Sequence, residues 1–416
     1  MFRYGTAVLL FLGVAPYLFA DAGRNINQIV GDRAIGMAGA YAAVSDDPSG
    51  MYYNPAGIAY SSSSNISANV NTLQSYAITY DDVVAGEFDY VRDSFQVLPN
   101  FFGVIQPLGN YTVGFSSSIV DSVREKQSQT FSDLTAINVD KFVFNFDRID
   151  TTYNVGPTVA RVLDNNLAVG LSMHLHYRSA ESISNQHIKF SAASGNNISW
   201  NNSYAEINEV GIRPKLGLIW SPMQSLSFGV SADKTFLISG NLTSQVAACG
   251  TDLTNIGCQT QSDPSITETA FERDYPWQVR MGGAWFPSNV LLVSADLIYN
   301  SPTYDDSGDS VLLSTVDGAL GVEWYWSPKW ALRSGLYTAN ANTPELALGS
   351  INQASHVDLM GATVSITRFN QGSSISLGAL LNYGQGQSQL FPTVSSLLQT
   401  TTIAGGTVFF TTSYRY

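Results

Sequence analysis

Alternation with a period of two dominates this chain. In "LAVGLSMHLHYR", Leu167, Val169, Leu171, Met173, Leu175 and Tyr177 share one face, while Ala168, Gly170, Ser172, His174, His176 and Arg178 share the other. One apolar face on a period-two repeat predicts a half-buried β-strand. Such segments recur from about residue 64 onward, joined by short polar turns at 107–110, 163–166, 221–225, 287–289, 327–329 and 370–373. Between these turns lie Ser-, Thr-, Asn- and Asp-rich stretches at 180–203, 239–267, 300–310, 340–354 and 385–401. Short and long connections in alternation are the layout of a membrane β-barrel, with short turns on one side and long loops on the other. Counting hairpins predicts an all-β, antiparallel transmembrane barrel of about fourteen strands over 64–416, an even number that returns both termini to one side.

Tryptophan placement agrees. Trp220, Trp285, Trp324, Trp326 and Trp330 all flank short turns, and Trp277 and Trp285 share one face of "WQVRMGGAW". Eight residues of tilted strand climb about 20 Å, close to the ~25 Å apolar band between two aromatic girdles. The chain ends in "GTVFFTTSYRY", with Val408, Phe410, Tyr414 and Tyr416 on one parity. This terminal pattern resembles the C-terminal signal read by the barrel-assembly machinery of bacterial outer membranes, which is therefore an expected partner along with outer-membrane lipid.

Composition narrows the class further. Only 13% of residues are charged, against roughly 25% in a soluble domain. Arg3 precedes an apolar run from Ala7 to Phe19, and Ala20 is a plausible cleavage position, so residues 1–20 are expected to be a secretory signal peptide. A net charge of −13 disfavours nucleic acid as a partner, because phosphate binding needs clustered Lys and Arg. Cys249 and Cys258 close a short loop, and export to an oxidising compartment predicts a disulfide between them. No cofactor or metal site is expected: His174 and His176 share an inward face without an identifiable third ligand. No nucleophile, base and orienting acid converge in the sequence, so an enzyme is not expected.

Hairpin register places inward charges opposite one another. Pairing Trp220 with Leu226 sets Arg213 against Asp233; pairing Phe286 with Val290 sets Arg280 against Asp296; pairing Trp326 with Trp330 sets Glu323 against Arg333. These pairs brace a barrel wall, while Arg213, Lys215, Arg280 and Arg333 are also the candidates to meet an anionic ligand head group.

One stretch does not alternate. "GDRAIGMAGAYAAVSDDPSGMYYNPAGIA", Gly31 to Ala59, is rich in Gly and Ala, turns at "DDPSG" and fixes its backbone at Asn54-Pro55. Its first half is expected to form a short helix with a small-residue face. It is too short to fold alone, and it lies between the signal peptide and the first strand, so residues 21–63 are expected to pack as a small helical plug inside the barrel.

This segment resembles the N-terminal hatch of the FadL/TodX family of outer-membrane transporters. The resemblance rests on Gly36 and Gly39 of the small-residue start, the acidic turn, and the aromatic before Asn54, Pro55 and Ala56. It implies uptake of hydrophobic small molecules, foremost long-chain fatty acids, bound in an apolar lumen and released sideways through the wall. It also implies an outer-membrane location with periplasmic termini, and an exit near a kinked third strand, here "YTVGFSSSIV" with Gly114 and serines 116–118. Some relatives with this hatch act instead as scaffolds in assembly or secretion, binding protein partners.

Overall fold

The computed structural model describes residues 23–61, 63–84, 88–134, 138–164, 166–192, 197–250, 260–261, 265–304, 310–351, 353–390 and 398–416. The expected signal peptide at 1–20 and Cys258 lie outside them. Strands β1 (Asn65–Val84), β2 (Phe88–Leu108), β3 (Tyr111–Leu134), β4 (Val139–Asp164), β5 (Leu167–Phe190) and β6 (Ile198–Met223) form consecutive hairpins. Next, β7 runs through Leu226–Asp233 and Phe236–Gly250, and β8 through Ser265–Ala270 and Gln278–Ser288. The wall continues with β9 (Leu291–Asn300), β10 (Thr315–Ser327), β11 (Trp330–Ala339), β12 (His356–Asn370), β13 (Ser373–Ser388) and β14 (Gln399–Arg415). Pairing of β14 with β1, from Asn65↔Arg415 to Tyr80↔Thr401, closes a 14-strand antiparallel barrel.

The period-two pattern maps onto the two faces. In β5, Ala168, Gly170, Ser172, His174, His176 and Arg178 are buried, while Leu171, Met173, Leu175 and Tyr177 are exposed. The exposed apolar side chains, Trp220, Trp285 and Trp324 among them, are on the outside. An outward apolar band is what a bilayer rewards, since lipid replaces the core that a soluble protein would need.

The wall is uneven. Strands β4 and β6 run 26 residues each, while β9 and β11 have 10. About 9–11 residues cross a membrane, so the long strands stand well clear of it. This corrects the expected loop at 180–203: β5 continues to Phe190 and β6 starts at Ile198, with Asn185 facing Asn202 in an unbroken ladder. In the same way β7 extends to Gly250, and β13 and β14 extend into 385–401. Beyond the bilayer neither face needs to be apolar, so the alternation that marks a strand is lost while its hydrogen bonds remain.

The largest buried apolar cluster is centred on the N-terminal segment. Val30, Ile35, Met37, Tyr41 and Tyr53 pack against wall residues including Leu292 and Phe409.

Candidate functional site

Residues 23–61 lie within the ring of strands. The segment forms a helix α1 (Asp32–Gly36), a helix α2 (Gly50–Tyr53) and a 3-10 turn over Pro55–Tyr60. The expected helix is shorter than its composition suggested. It stops at Gly36 because Ala38 (φ 54°) and Gly39 (φ 79°) take the left-handed backbone and turn the chain.

Hydrogen bonds tie the segment to strands all round the ring. Asn69 donates to the Gly31 carbonyl at 2.7 Å, Thr363 to that of Gly36 at 3.0 Å, Arg280 to that of Gly39 at 2.9 Å, and Ser231 to that of Tyr53 at 2.8 Å. Asp296 accepts the backbone N–H groups of Tyr41 and Ala42, each at 2.9 Å. Asn54 is fully buried; its Nδ2 donates to Ala42 O at 2.8 Å and to Leu218 O on β6 at 3.1 Å, and its Oδ1 accepts from Ala56 N at 3.2 Å. Facing it is Gly217, where any Cβ would overlap Asn54 Oδ1 and crowd Pro55. The wall is thinned where the Asn54-Pro55-Ala56 corner presses on it.

The inward charges come together as ion pairs, with two registers corrected. Trp220 pairs with Phe228, not Leu226, so Lys215 stands directly opposite Asp233. Asp233 still holds both cations, Arg213 at 2.6 Å and Lys215 at 2.7 Å. Across the next hairpin, Asp296 is opposite Gly282 rather than Arg280, and the Arg280–Asp296 contact at 3.1 Å is diagonal. In both hairpins an irregularity at the turn, between Trp220 and Met223 and between Trp285 and Ser288, displaces the register by two. Glu323 and Arg333 are directly opposite, at 2.7 Å. The four cations expected to meet a ligand are thus engaged in ties: Lys215 also donates to Tyr52 O at 2.6 Å, and Arg333 lies 3.8 Å from Asp32 of the segment. His174 contacts Ser116 Oγ and His176 contacts Asn154 and Tyr275, and no three-residue metal-binding group occurs among the described residues.

A cavity lies elsewhere. A space of about 240 Å³ lies on the long-loop side of the N-terminal segment, floored by Ile26 and Gln28 and walled by Tyr76, Tyr80, Phe144 and Phe146. Phe142, Phe144 and Phe146 occupy successive inward positions of β4, their rings 6.3 and 6.1 Å apart. Arg92 lies over this aromatic wall, 4.6 Å from the Phe146 ring centre and 5.3 Å from that of Tyr80. Sequence reasoning missed these residues. Their signal was "FVFNF", an apolar parity that the alternation rule assigns to lipid and the structure turns inward.

Beside the cavity the wall has a seam. The β2–β3 ladder runs only from Leu108↔Tyr111 to Phe101↔Ser118, although both strands continue. Just past that point β3 bulges against β4 between Ile119 and Asp121, which exchanges its inward and outward parity. The expected kink at Gly114 and serines 116–118 is therefore displaced: those residues remain in register with both neighbours, and the break follows them. Side chains bridge the seam where backbone does not. Gln96 donates to Ser122 O at 3.1 Å and accepts from Ser122 Oγ at 3.2 Å, Gln127 donates to Asp93 O at 2.8 Å, and Gln129 donates to Val91 O at 3.2 Å. Asp121, beside the bulge, accepts from Asn27 of the N-terminal segment at 3.2 Å and lines the cavity.

No protein-family model matches this chain, and no curated protein matches it in sequence. Solved structures do match. The toluene transporter TodX of Pseudomonas putida superposes with a TM-score of 0.68 at 12% identity, covering 94% of this chain and 100% of that one. A FadL homologue of Pseudomonas aeruginosa gives 0.65 at 13% identity, covering 94% and 99%. The toluene transporter TbuX of Ralstonia pickettii gives 0.61 at 15% identity, again over 94% and 99%. A closed barrel of this size fits an outer-membrane protein, and in fold this chain is a FadL/TodX-type barrel.

Proposed function

We propose that this protein takes up hydrophobic small molecules across the bacterial outer membrane. The solute enters from the long-loop end, settles between the β4 phenylalanines and Tyr80, and leaves sideways between β2 and β3 into the bilayer. The N-terminal segment closes the water path beneath it, with both chain termini periplasmic. One observation carries this reading: the aromatic cavity abuts the stretch of wall where side chains replace the backbone ladder. An apolar solute gains by leaving water for such a cavity and again by moving on into lipid.

Cavity size bears on the solute. An apolar cavity of ~150 Å³ holds benzene, so about 240 Å³ suits a substituted single ring. A long-chain fatty acid, the solute foremost in the sequence reading, would place only part of its tail there.

Mass spectrometry of small apolar molecules extracted from the purified protein tests the proposal. Recovery of a compact hydrophobic compound is the expected result. A clean extract together with a stoichiometric protein partner would overturn it in favour of a scaffold.

A further inference from the structure

The cavity wall carries a polar feature that an apolar ligand alone would leave unsatisfied. Glu125 is 2% exposed, and its Oε1 accepts the Tyr76 hydroxyl at 3.4 Å, while its buried Oε2 accepts nothing. An Arg92 terminal nitrogen stands 3.8 Å from that Oε2, too far for a hydrogen bond, and Arg92 Nε is also buried without an acceptor. The neighbouring charges are engaged otherwise. Arg148, opposite Glu125 on the ladder, binds Asp150 at 3.0 Å; Arg24 donates to Val357 O at 3.3 Å; and Asp121 accepts from Asn27.

We propose that the ligand of this cavity is a neutral, hydroxyl-bearing aromatic compound whose O–H bridges Glu125 and Arg92 while its ring stacks within the aromatic wall. This rests on the uptake reading above and specifies its substrate class. A hydroxyl is both donor and acceptor. A small rotation of the Glu125 carboxylate toward the cavity lets the hydroxyl donate to Oε2 and accept from the Arg92 terminal nitrogen across the 3.8 Å gap, making two charge-assisted bonds. A bare hydrocarbon leaves Glu125 Oε2 without a hydrogen bond. A carboxylate adds a second anion beside Glu125. Opposite charges at the head of an aromatic pocket select the neutral molecule with both hydrogen-bonding roles.

The test uses three ligands sharing a para-methyl ring: 4-methylphenol, p-xylene and 4-methylbenzoate. Each is titrated by equilibrium dialysis against the detergent-solubilised full chain, with free concentrations corrected for micelle partition. We expect 4-methylphenol to bind about tenfold or more tighter than either analogue, as sites built to bond a hydroxyl discriminate strongly against its absence. Glu125→Leu should reverse the preference, weakening 4-methylphenol and strengthening p-xylene. Heat-modifiable migration reports whether that variant keeps its barrel, and if it does not, the unmodified protein decides alone. Equal binding of p-xylene and 4-methylphenol would overturn the hydroxyl site and leave uptake of apolar solutes standing. Tightest binding of 4-methylbenzoate would make the site an anion receptor. Binding of none of the three would remove the cavity reading and this proposal together.

Discussion

Glu323 accepts the Nε–H of Arg333 at 2.7 Å from the position directly across the β10–β11 ladder, and the same carboxylate accepts from Arg33 of the N-terminal segment. One buried anion therefore serves the wall and the segment at once. Glu323→Ala should leave buried Arg333 with only the more distant Asp32 as a counter-charge and part-buried Arg33 with only Asp46, and cost about 3–5 kcal/mol, the range for removing one partner of a buried pair. Adding Arg333→Ala should restore only part of the loss, because Arg33 then keeps only Asp46, whose side chain is 45% exposed. A double-mutant cycle on the denaturant midpoint checks this; no coupling between positions 323 and 333 would contradict it.

Deletion of residues 31–59 should leave a membrane-inserted, heat-modifiable barrel, since the strands carry their own alternation and closure. That barrel should conduct ions far better in planar bilayers and lose selective uptake. Gly217→Leu should have a milder effect of the same kind, by pushing Asn54 off the wall. Unchanged conductance after the deletion would mean that the segment is not the plug.

Proton uptake should tighten the plug. Partial burial, aided by the adjacent Asp46, raises the Asp47 carboxyl to about 6. A raised pKa in the docked state means that docking is favoured most below the ordinary carboxylate pKa near 4, and that this advantage fades as pH rises through about 6. Two pKa units allow up to about a hundredfold change in the docking equilibrium, trimmed toward about tenfold by solvent at this half-buried site. Ion conductance of the intact protein should therefore rise between about pH 4 and about pH 6, the interval bounded by the undocked and docked pKa values, and level off above it. Asp47→Asn should flatten the curve at the low-pH level.

The seam should be the exit. Gln96→Cys combined with Ser122→Cys, joined by a short bis-maleimide, should reduce solute uptake to background while binding to the purified protein persists. The same linkage placed across the fully laddered β12–β13 pair, as Ile366→Cys with Leu377→Cys on the outer face, should leave uptake unchanged. Equal uptake in the two cross-linked proteins would rule out release between β2 and β3.

Cys249 is buried at the end of β7, where its carbonyl accepts from Ser199 at 3.1 Å. We expect it to be bonded to Cys258, so that intact mass under oxidising conditions shows no free thiol. Reduction should loosen the loop and lower stability by no more than about 3 kcal/mol, the loop-closure figure for so short a loop.

The barrel was legible in the sequence because bilayer and lumen impose opposite polarity on alternate residues. Leu167 to Arg178 shows both faces without help from its neighbours. The same rule failed at Phe142, Phe144 and Phe146, where an apolar lumen makes the inward parity look like the outward one. It also failed beyond the bilayer, where Asn185 and Asn202 pair with no apolar face to mark them. Hairpin register was readable at Glu323 and Arg333, but turn irregularities moved it by two at Lys215 and Asp233. The cavity could not be read at all. Arg92 and Glu125 sit on strands whose relative height depends on a bulge at residue 120 that no local residue type announces.

A backbone ladder opens cooperatively, since freeing one pair strains the next. The latches from Gln96, Gln127 and Gln129 are independent of one another, each worth only about 0.5–1.5 kcal/mol. Such a closure yields one latch at a time, so the width of the gap is graded rather than all-or-none. A flat ring passing edge-on needs to displace one or two latches, while a hydrated ion, needing a wider gap and facing hydrocarbon beyond it, gains nothing by forcing the rest. The leak rate and the size limit of the passage would then be set by the same few side chains, and lengthening or shortening them would move both together.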